Sequence, residues 1–225
     1  VPKKKLRRFK ENLSFPNLFQ YSYKRLREEG FPYKGQWHAD WFNNEHPLIL
    51  EIGCGKGEYT IGLSTHYPEK NFIGLDIKGA RLWRGCKTAL DQGLRNVAFI
   101  RCQIQFINHF FEKEEVSEMW ITFPDPQIKK ESKRLTHPDF LEKYRLVLKP
   151  DGLIHLKTDN ADLFNYTLEM IQAEGHRLIF STHDLYRNSM DGDAPKIRTY
   201  YENIFLEQGK TICYLKFQLN NEKTH

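Results

Sequence analysis

Three stretches of the chain hold side chains whose types and spacing could do chemistry. In Glu51-Ile52-Gly53-Cys54-Gly55-Lys56-Gly57 an acid stands two residues before the first of three alternate glycines. Glycine lets backbone take positive φ and come within contact distance of a ligand. A dinucleotide-binding turn reads G-x-G-x-x-G and would need its third glycine at position 58, where this chain has Glu58. The third glycine is Gly57 instead. An acid at position 51 would sit poorly beside a pyrophosphate and well beside a cationic cofactor. Asp76 follows 25 positions later at the end of a second apolar run. That is roughly the spacing at which nucleotide-binding α/β folds hydrogen-bond a ribose hydroxyl pair; a helix N-cap is the other use of an acid there.

The second stretch is Phe123-Pro124-Asp125-Pro126. Prolines on both sides of Asp125 fix φ and remove backbone donors, so its carboxylate is held stiffly. Just beyond lies the basic cluster Lys129-Lys130-Glu131-Ser132-Lys133-Arg134, where phosphates of a large substrate could dock. The third stretch is polar and comes late: Lys157-Thr158-Asp159 closes one apolar run, and Thr199-Tyr200-Tyr201-Glu202 precedes the last. Read locally, Thr199 and Glu202 cap a strand or turn, Asp159 caps a helix, and Lys129 belongs to a solvated charge run.

These residues need a scaffold that brings strand ends together, and the hydrophobic pattern supplies one. Short β-like runs at 48–52, 71–75, 97–101, 118–123, 152–157, 177–181 and 212–219 alternate with helical segments at 58–65, 79–92, 106–115, 138–148 and 161–174. Strand alternating with helix predicts an α/β fold with a doubly wound, mostly parallel, seven-stranded sheet. Right-handed crossovers put a ligand over the carboxyl ends of the strands, near the switch point. The chain divides into an N-terminal extension, residues 1–47, and one domain, residues 48–225. Residues 183–198, with Gly192 and Pro195, read as a mobile loop.

Composition sets the outer limits. The 225 residues are 40% hydrophobic and 28% charged, which suits one globular domain. No apolar run reaches membrane-spanning length, and the basic start is unlike a secretory signal. The cysteines (Cys54, Cys86, Cys102, Cys213) lack C-x-x-C spacing, which argues against zinc and for reduced thiols in a cytoplasmic compartment. The net charge of +5 hides a gradient: residues 1–34 hold ten lysines and arginines against three glutamates. Such an arm suits a polyanion, or is a solvated, mobile tail over residues 1–12. The aromatics of residues 13–47 pack the extension onto the body, or offer rings on which unpaired bases stack.

Glu51-x-Gly53-x-Gly55-x-Gly57 after a strand resembles motif I of class I S-adenosylmethionine-dependent methyltransferases. Together with F-P-D-P-x-x-K-K-x-x-K-R-L, the Leu156-Lys157-Thr158-Asp159 run and Thr199-x-x-Glu202, it resembles the bacterial tRNA (guanine-N7)-methyltransferase family from about residue 45 to 217. Three positions depart from that family: Gln127 in place of a tryptophan, a basic cluster lacking a histidine and an arginine, and Gln103 in place of a common aspartate. The resemblance implies a Rossmann-like class I methyltransferase fold and methyl transfer from S-adenosylmethionine to N7 of guanine 46 in tRNA. It implies Asp125 as the catalytic residue. Glu51, Gly53, Gly55, Gly57, Asp76, Gln103 and Asp125 would bind the cofactor; Lys129, Asp159, Thr199 and Glu202 would bind the tRNA. The arm, Lys130, Lys133 and Arg134 would meet phosphates. No metal and no membrane enter this reading, and monomer and homodimer both stay open. The competing classes are a same-fold enzyme with another acceptor, a non-catalytic RNA-binding protein, and a nicotinamide-dependent oxidoreductase. The glycine spacing disfavours the last.

Overall fold

The computed structural model describes residues 3–188, 192 and 194–220. Its centre is an eight-stranded sheet: β1 Leu18–Gln20, β2 Leu48–Ile52, β3 Asn71–Asp76, β4 Val97–Arg101, β5 Val116–Thr122, β6 Leu148–Thr158, β7 Arg177–Thr182 and β8 Cys213–Gln218. The spatial order is β1-β4-β3-β2-β5-β6-β8-β7. Pairs from β1 to β6 are parallel, and β8 runs antiparallel between β6 and β7. All seven expected strands are present. The eighth is a correction: β1 comes from the N-terminal extension and pairs with β4, Leu18 opposite Phe99.

β2 reads LILEI and is buried along its whole length, as a central parallel strand covered on both faces must be. The chain leaves β2 toward β3 on one side, while β5 lies on the other, so the switch point falls between the ends of β2 and β5. Helices α3 (Glu58–His66) and α4 (Gly79–Asp91) cross one face; α5 (Pro138–Arg145) and α6 (Ala161–Ala173) follow later in the chain. Their starts carry the expected chemistry. His137 caps α5 ahead of Pro138, and the Asn160 side chain accepts from Leu163 N–H at the head of α6. The final helix, α7 (Tyr200–Glu207), opens with a capping box in which Thr199 and Glu202 exchange side-chain and backbone bonds.

Two expectations for local structure fail. Residues 106–115 are not a helix but a single 3-10 segment, Ile104–His109, followed by a turn with Glu114 at φ 61°. At the end of that turn the Glu115 carboxylate accepts from the N–H groups of Gly35, Trp37 and Glu112, tying the segment to the N-terminal extension. Residues 3–11, expected to be mobile, form helix α1 (Lys3–Glu11) docked on α4. Trp83 Nε1 donates to Glu11, Asn12 Nδ2 donates to Gly79 O at 2.8 Å, and Arg8 lies 4.7 Å over the Trp83 ring.

The rest of the extension is packed too, through helix α2 (Tyr23–Glu29) and a π-helical turn at Trp37–Phe42. Phe19 meets Phe31, Tyr33, Trp37 and Trp41 edge-on at centroid distances of 4.8–5.5 Å. Trp37 is fully buried and donates to Phe110 O. For these rings the packing role is the one observed. The loop expected at 183–198 includes residues 189–191 and 193, which lie outside the described residues. Of its described part, Leu185, Ala194 and Ile197 are buried against the body.

Candidate active site

A cleft of ≈ 550 Å³ opens where β2 and β5 end, lined by Glu51, the glycine turn, Thr122, Phe123, Thr199 and Tyr201. The turn is built by its glycines. Gly53, Gly55 and Gly57 stand at φ 74°, 58° and 71°, where a side chain is strained. Gly57 is also sterically closed: a Cβ there would lie 2.6 Å from the Phe99 ring. Gly57→Ala is therefore expected to destabilise the fold by about 2–4 kcal/mol, read from urea denaturation midpoints. Gly55, by contrast, has nothing within 4 Å of the same position, leaving backbone open to a ligand.

Two carboxylates flank the turn. Glu51 is 3% exposed; its Oε1 accepts from Thr122 Oγ1 at 2.6 Å and its Oε2 from the N–H and hydroxyl of Thr60. Burial pushes its carboxyl up to about 7, against the pull of those threonine hydrogen bonds. Asp76, at the end of β3, accepts from Gly55 N–H at 2.9 Å and Lys78 N–H at 2.7 Å. It thus braces the turn, and the next strand end carries Glu51, in register with Gly74. The buried thiols of Cys54, Cys86 and Cys102 are all pushed up by desolvation, consistent with packing rather than reactivity.

The far wall is the start of α7. Tyr200 N–H donates to Glu58 at 2.7 Å, and Lys56 lies over the Tyr200 and Tyr201 rings at 5.0 and 5.8 Å. Behind that wall sits a buried ion pair: Lys157 Nζ is 2.7 Å from Glu202 Oε1, both side chains with no solvent exposure. Lys157 also donates to the carbonyls of Ala194 and Ile197, and the Tyr186 hydroxyl donates to Glu202. Burial lowers the Lys157 ammonium to about 8, opposed by Glu202.

The expected site residues therefore divide. Glu51, Gly53, Gly55 and Thr199 line one cleft, Gly57 closes its turn, and Asp76 hydrogen-bonds that turn. Asp125 is exposed on the loop two residues past Phe123, accepts from Gln127 N–H, and lies between Phe123 and Gln127, both at positive φ (47° and 48°). Lys129 is exposed on the same loop. Asp159 leaves the end of β6 paired with Lys210 at 3.0 Å; Asn160, not Asp159, caps α6. Gln103 is exposed and accepts from Gln105; it is not among the residues lining the cleft, though the N–H of its neighbour Cys102 donates to Asp76 O. Two readings need correction. Glu202 is wholly buried with its carboxylate engaged by Lys157, Tyr186 and Thr199 N–H, so it does not face the cleft. Arg134, expected to meet phosphates, is 6% exposed, stacked 4.2 Å over Tyr166 and donating to Pro126 O, where it staples the Asp125 loop.

Sequence reasoning missed Thr60, Thr122 and Lys157. Threonine is too common to signal a buried acid's partner. The position of Lys157 next to Leu156 at the end of a β-like run was the available clue, because a charge in a covered strand must be paired.

A doubly wound sheet with an acid and a glycine turn at its switch point defines a methyltransferase of the class I fold. The profile of the family described as "Putative methyltransferase" matches residues 45–215. Among solved structures, 16S rRNA methyltransferase KamB superposes with TM-score 0.62 at 12% identity, covering 83% of this chain and 92% of that one. Within that class the chain belongs to the tRNA (guanine-N(7)-)-methyltransferase family. It is 54% identical to the tRNA (guanine-N(7)-)-methyltransferase of Christiangramia forsetii, over 96% of this chain and 98% of that protein. To the enzyme of the same name from Bacteroides thetaiotaomicron it is 49% identical, over 98% of this chain and 87% of that one.

Proposed function

We propose that this protein transfers a methyl group from S-adenosylmethionine to N7 of a guanine in tRNA, at position 46 of the variable loop. The observation that carries the reading is the pairing of buried Glu51 with a positive-φ glycine turn braced by Asp76, in a chain of this family. The donor set suits the cofactor: Glu51 for its cationic end, open backbone at Gly55 for close approach, and Asp76 for the ribose hydroxyls. When bound, S-adenosylmethionine supplies an electrophilic methyl on a sulfonium sulfur. The acceptor N7 has a free lone pair and no proton, so the chain needs no general base. It must align the purine and exclude water. We assign Asp125 to the base, where a carboxylate favours positive charge arriving on the purine and can accept from guanine N1–H and the exocyclic amine. Asp159, Lys129 and Thr199 are assigned to the RNA, and Glu202 to holding Thr199 in place. Gln103 is assigned to the adenine. Residues 48–225 act as the catalytic domain and residues 1–47 as an extension of it.

No helix among the described residues is long and apolar enough to cross a membrane, and no group of three or more metal-ligating side chains occurs among them. We place the activity in the cytoplasm, where its RNA substrate is made. Labelled S-adenosylmethionine with an unmodified tRNA transcript tests the proposal. Label recovered as 7-methylguanosine, and lost when guanine 46 is replaced by adenine, is the expected result. Tight cofactor binding with no transfer to any tRNA would overturn it.

A pH dependence follows from Glu51. Its carboxyl is raised, so the stability it contributes is greatest below its ordinary value of 4.5 and is lost as pH rises to about 7. Cofactor binding has the opposite sign, because a cation prefers the ionised form. Affinity for S-adenosylmethionine is expected to tighten roughly tenfold from pH 6 to pH 8, with proton release, and to flatten in Glu51→Gln. Calorimetry in two buffers of different ionisation enthalpy measures both.

A further inference from the structure

A second cleft, of ≈ 900 Å³, lies along the start of α4, with Arg8 of α1 at its edge, and is lined by Arg8, Lys56, Arg81, Arg84, Glu58 and Tyr200. Lys56, Glu58 and Arg81 line the active cleft as well, so the two openings are continuous. Four cations face one carboxylate, and that carboxylate is already engaged. Glu58 accepts from Tyr200 N–H at 2.7 Å and lies 3.9 Å from Lys56. Arg8 is held in place by its stacking over Trp83 and its bond to Ala80 O. Arg81 and Arg84 are exposed, three residues apart on one face of α4. Neither makes an ion pair or a side-chain hydrogen bond among the described residues.

Like charges gathered this closely repel, and only the docking of α1 adds Arg8 to the group. A bound anion with several oxygens removes the repulsion, and the guanidinium fork matches phosphate in particular. We propose that this cleft at the start of α4 is a phosphate-binding site for RNA, gripping the backbone beside the nucleotide whose base enters the active cleft. The inference rests on the proposed function for the identity of the RNA but not for the chemistry of the cleft. The shared walls explain the placement: a nucleotide with its base in the first opening has its flanking phosphates within reach of the second. A carboxylate from the cofactor's amino-acid end is the other anion this chemistry could take, and the two sources give different results.

The test is filter binding of an unmodified tRNA transcript over a range of salt, with cofactor affinity measured in parallel by calorimetry. In the Arg8→Gln/Arg84→Gln double variant, tRNA affinity is expected to fall roughly tenfold at 0.1 M salt, and the slope of log affinity on log salt to shrink by about 1–2. The KM for tRNA should rise with kcat little changed, and cofactor affinity should hold. Arg84→Gln alone, on an exposed helix face, gives the smaller version of the same result should the double variant misfold. Arg84→Lys should keep the slope. Unchanged tRNA affinity and slope in both variants would overturn the proposal. So would loss of cofactor affinity with tRNA binding intact, which would assign the anion to the cofactor. Should the wild-type protein bind tRNA here but fail to methylate it, the proposed function falls and the cleft assignment stands.

Discussion

Asp125→Ala is expected to lower kcat for tRNA methylation by roughly 10²–10³-fold, the usual loss when one fixed group aimed at developing charge is removed. Pro124 and Pro126 fix the backbone on either side, and Phe123 and Gln127 both hold positive φ. Arg134 pins the loop from behind through Pro126 O. Strain of this kind persists only where the surroundings over-determine it, and here it presents a single exposed carboxylate two residues from the cleft wall. Because the side chain is exposed and, among the described residues, accepts a single local hydrogen bond, its loss should leave the thermal midpoint close to that of the wild type. Cofactor affinity separates two roles. A fall in kcat with unchanged affinity places Asp125 on the purine, and a matching loss of affinity places it on the cofactor. Wild-type kcat in the variant would remove Asp125 from the mechanism.

Lys157→Met should have the largest effect on stability. Removing one partner of a buried pair leaves the other charge stranded, at a cost of about 3–5 kcal/mol. Here the stranded group is Glu202, and the two carbonyls of Ala194 and Ile197 lose their donor as well. Glu202 is also the second half of the box that starts α7, so the damage reaches Thr199 and the tyrosines on the cleft wall. Denaturant unfolding measures the loss. The Lys157→Met/Glu202→Gln double variant should recover part of it, because no charge remains buried. Equal stability of Lys157→Met and wild type would show that the pair contributes nothing.

The sheet was legible because its central strands, covered on both faces, show as short apolar runs such as Leu48–Ile52 and Val97–Arg101, and the outer runs, though interrupted by polar residues, stand apart from their helices. The turn was legible because few sequences satisfy a backbone that needs positive φ three times in five residues. What stayed hidden did so for identifiable reasons. β1 is three residues long, too short for any period. Residues 106–115 carry helical spacing, but the turn that follows their 3-10 segment is tied through the Glu115 carboxylate to Gly35 and Trp37, some eighty positions earlier, a long-range contact that no local pattern shows. Glu202 and Arg134 read as surface charges because burial of an ionised group depends on partners, Lys157 and Tyr166, that no local pattern reveals.

The pairing of Leu18 with Phe99 sets an order of events during synthesis. β1 emerges early, yet among the described residues its neighbour in the sheet is a strand made some eighty residues later, after β2 and β3 can already pair with each other. The extension is thus a late joiner to its own fold, and a high-separation contact of this kind slows the final closure. Until it docks, the apolar edge of β4 is open to pairing with another chain. Newly made protein is most exposed to aggregation in that interval, and the same segment that carries the basic arm ends it.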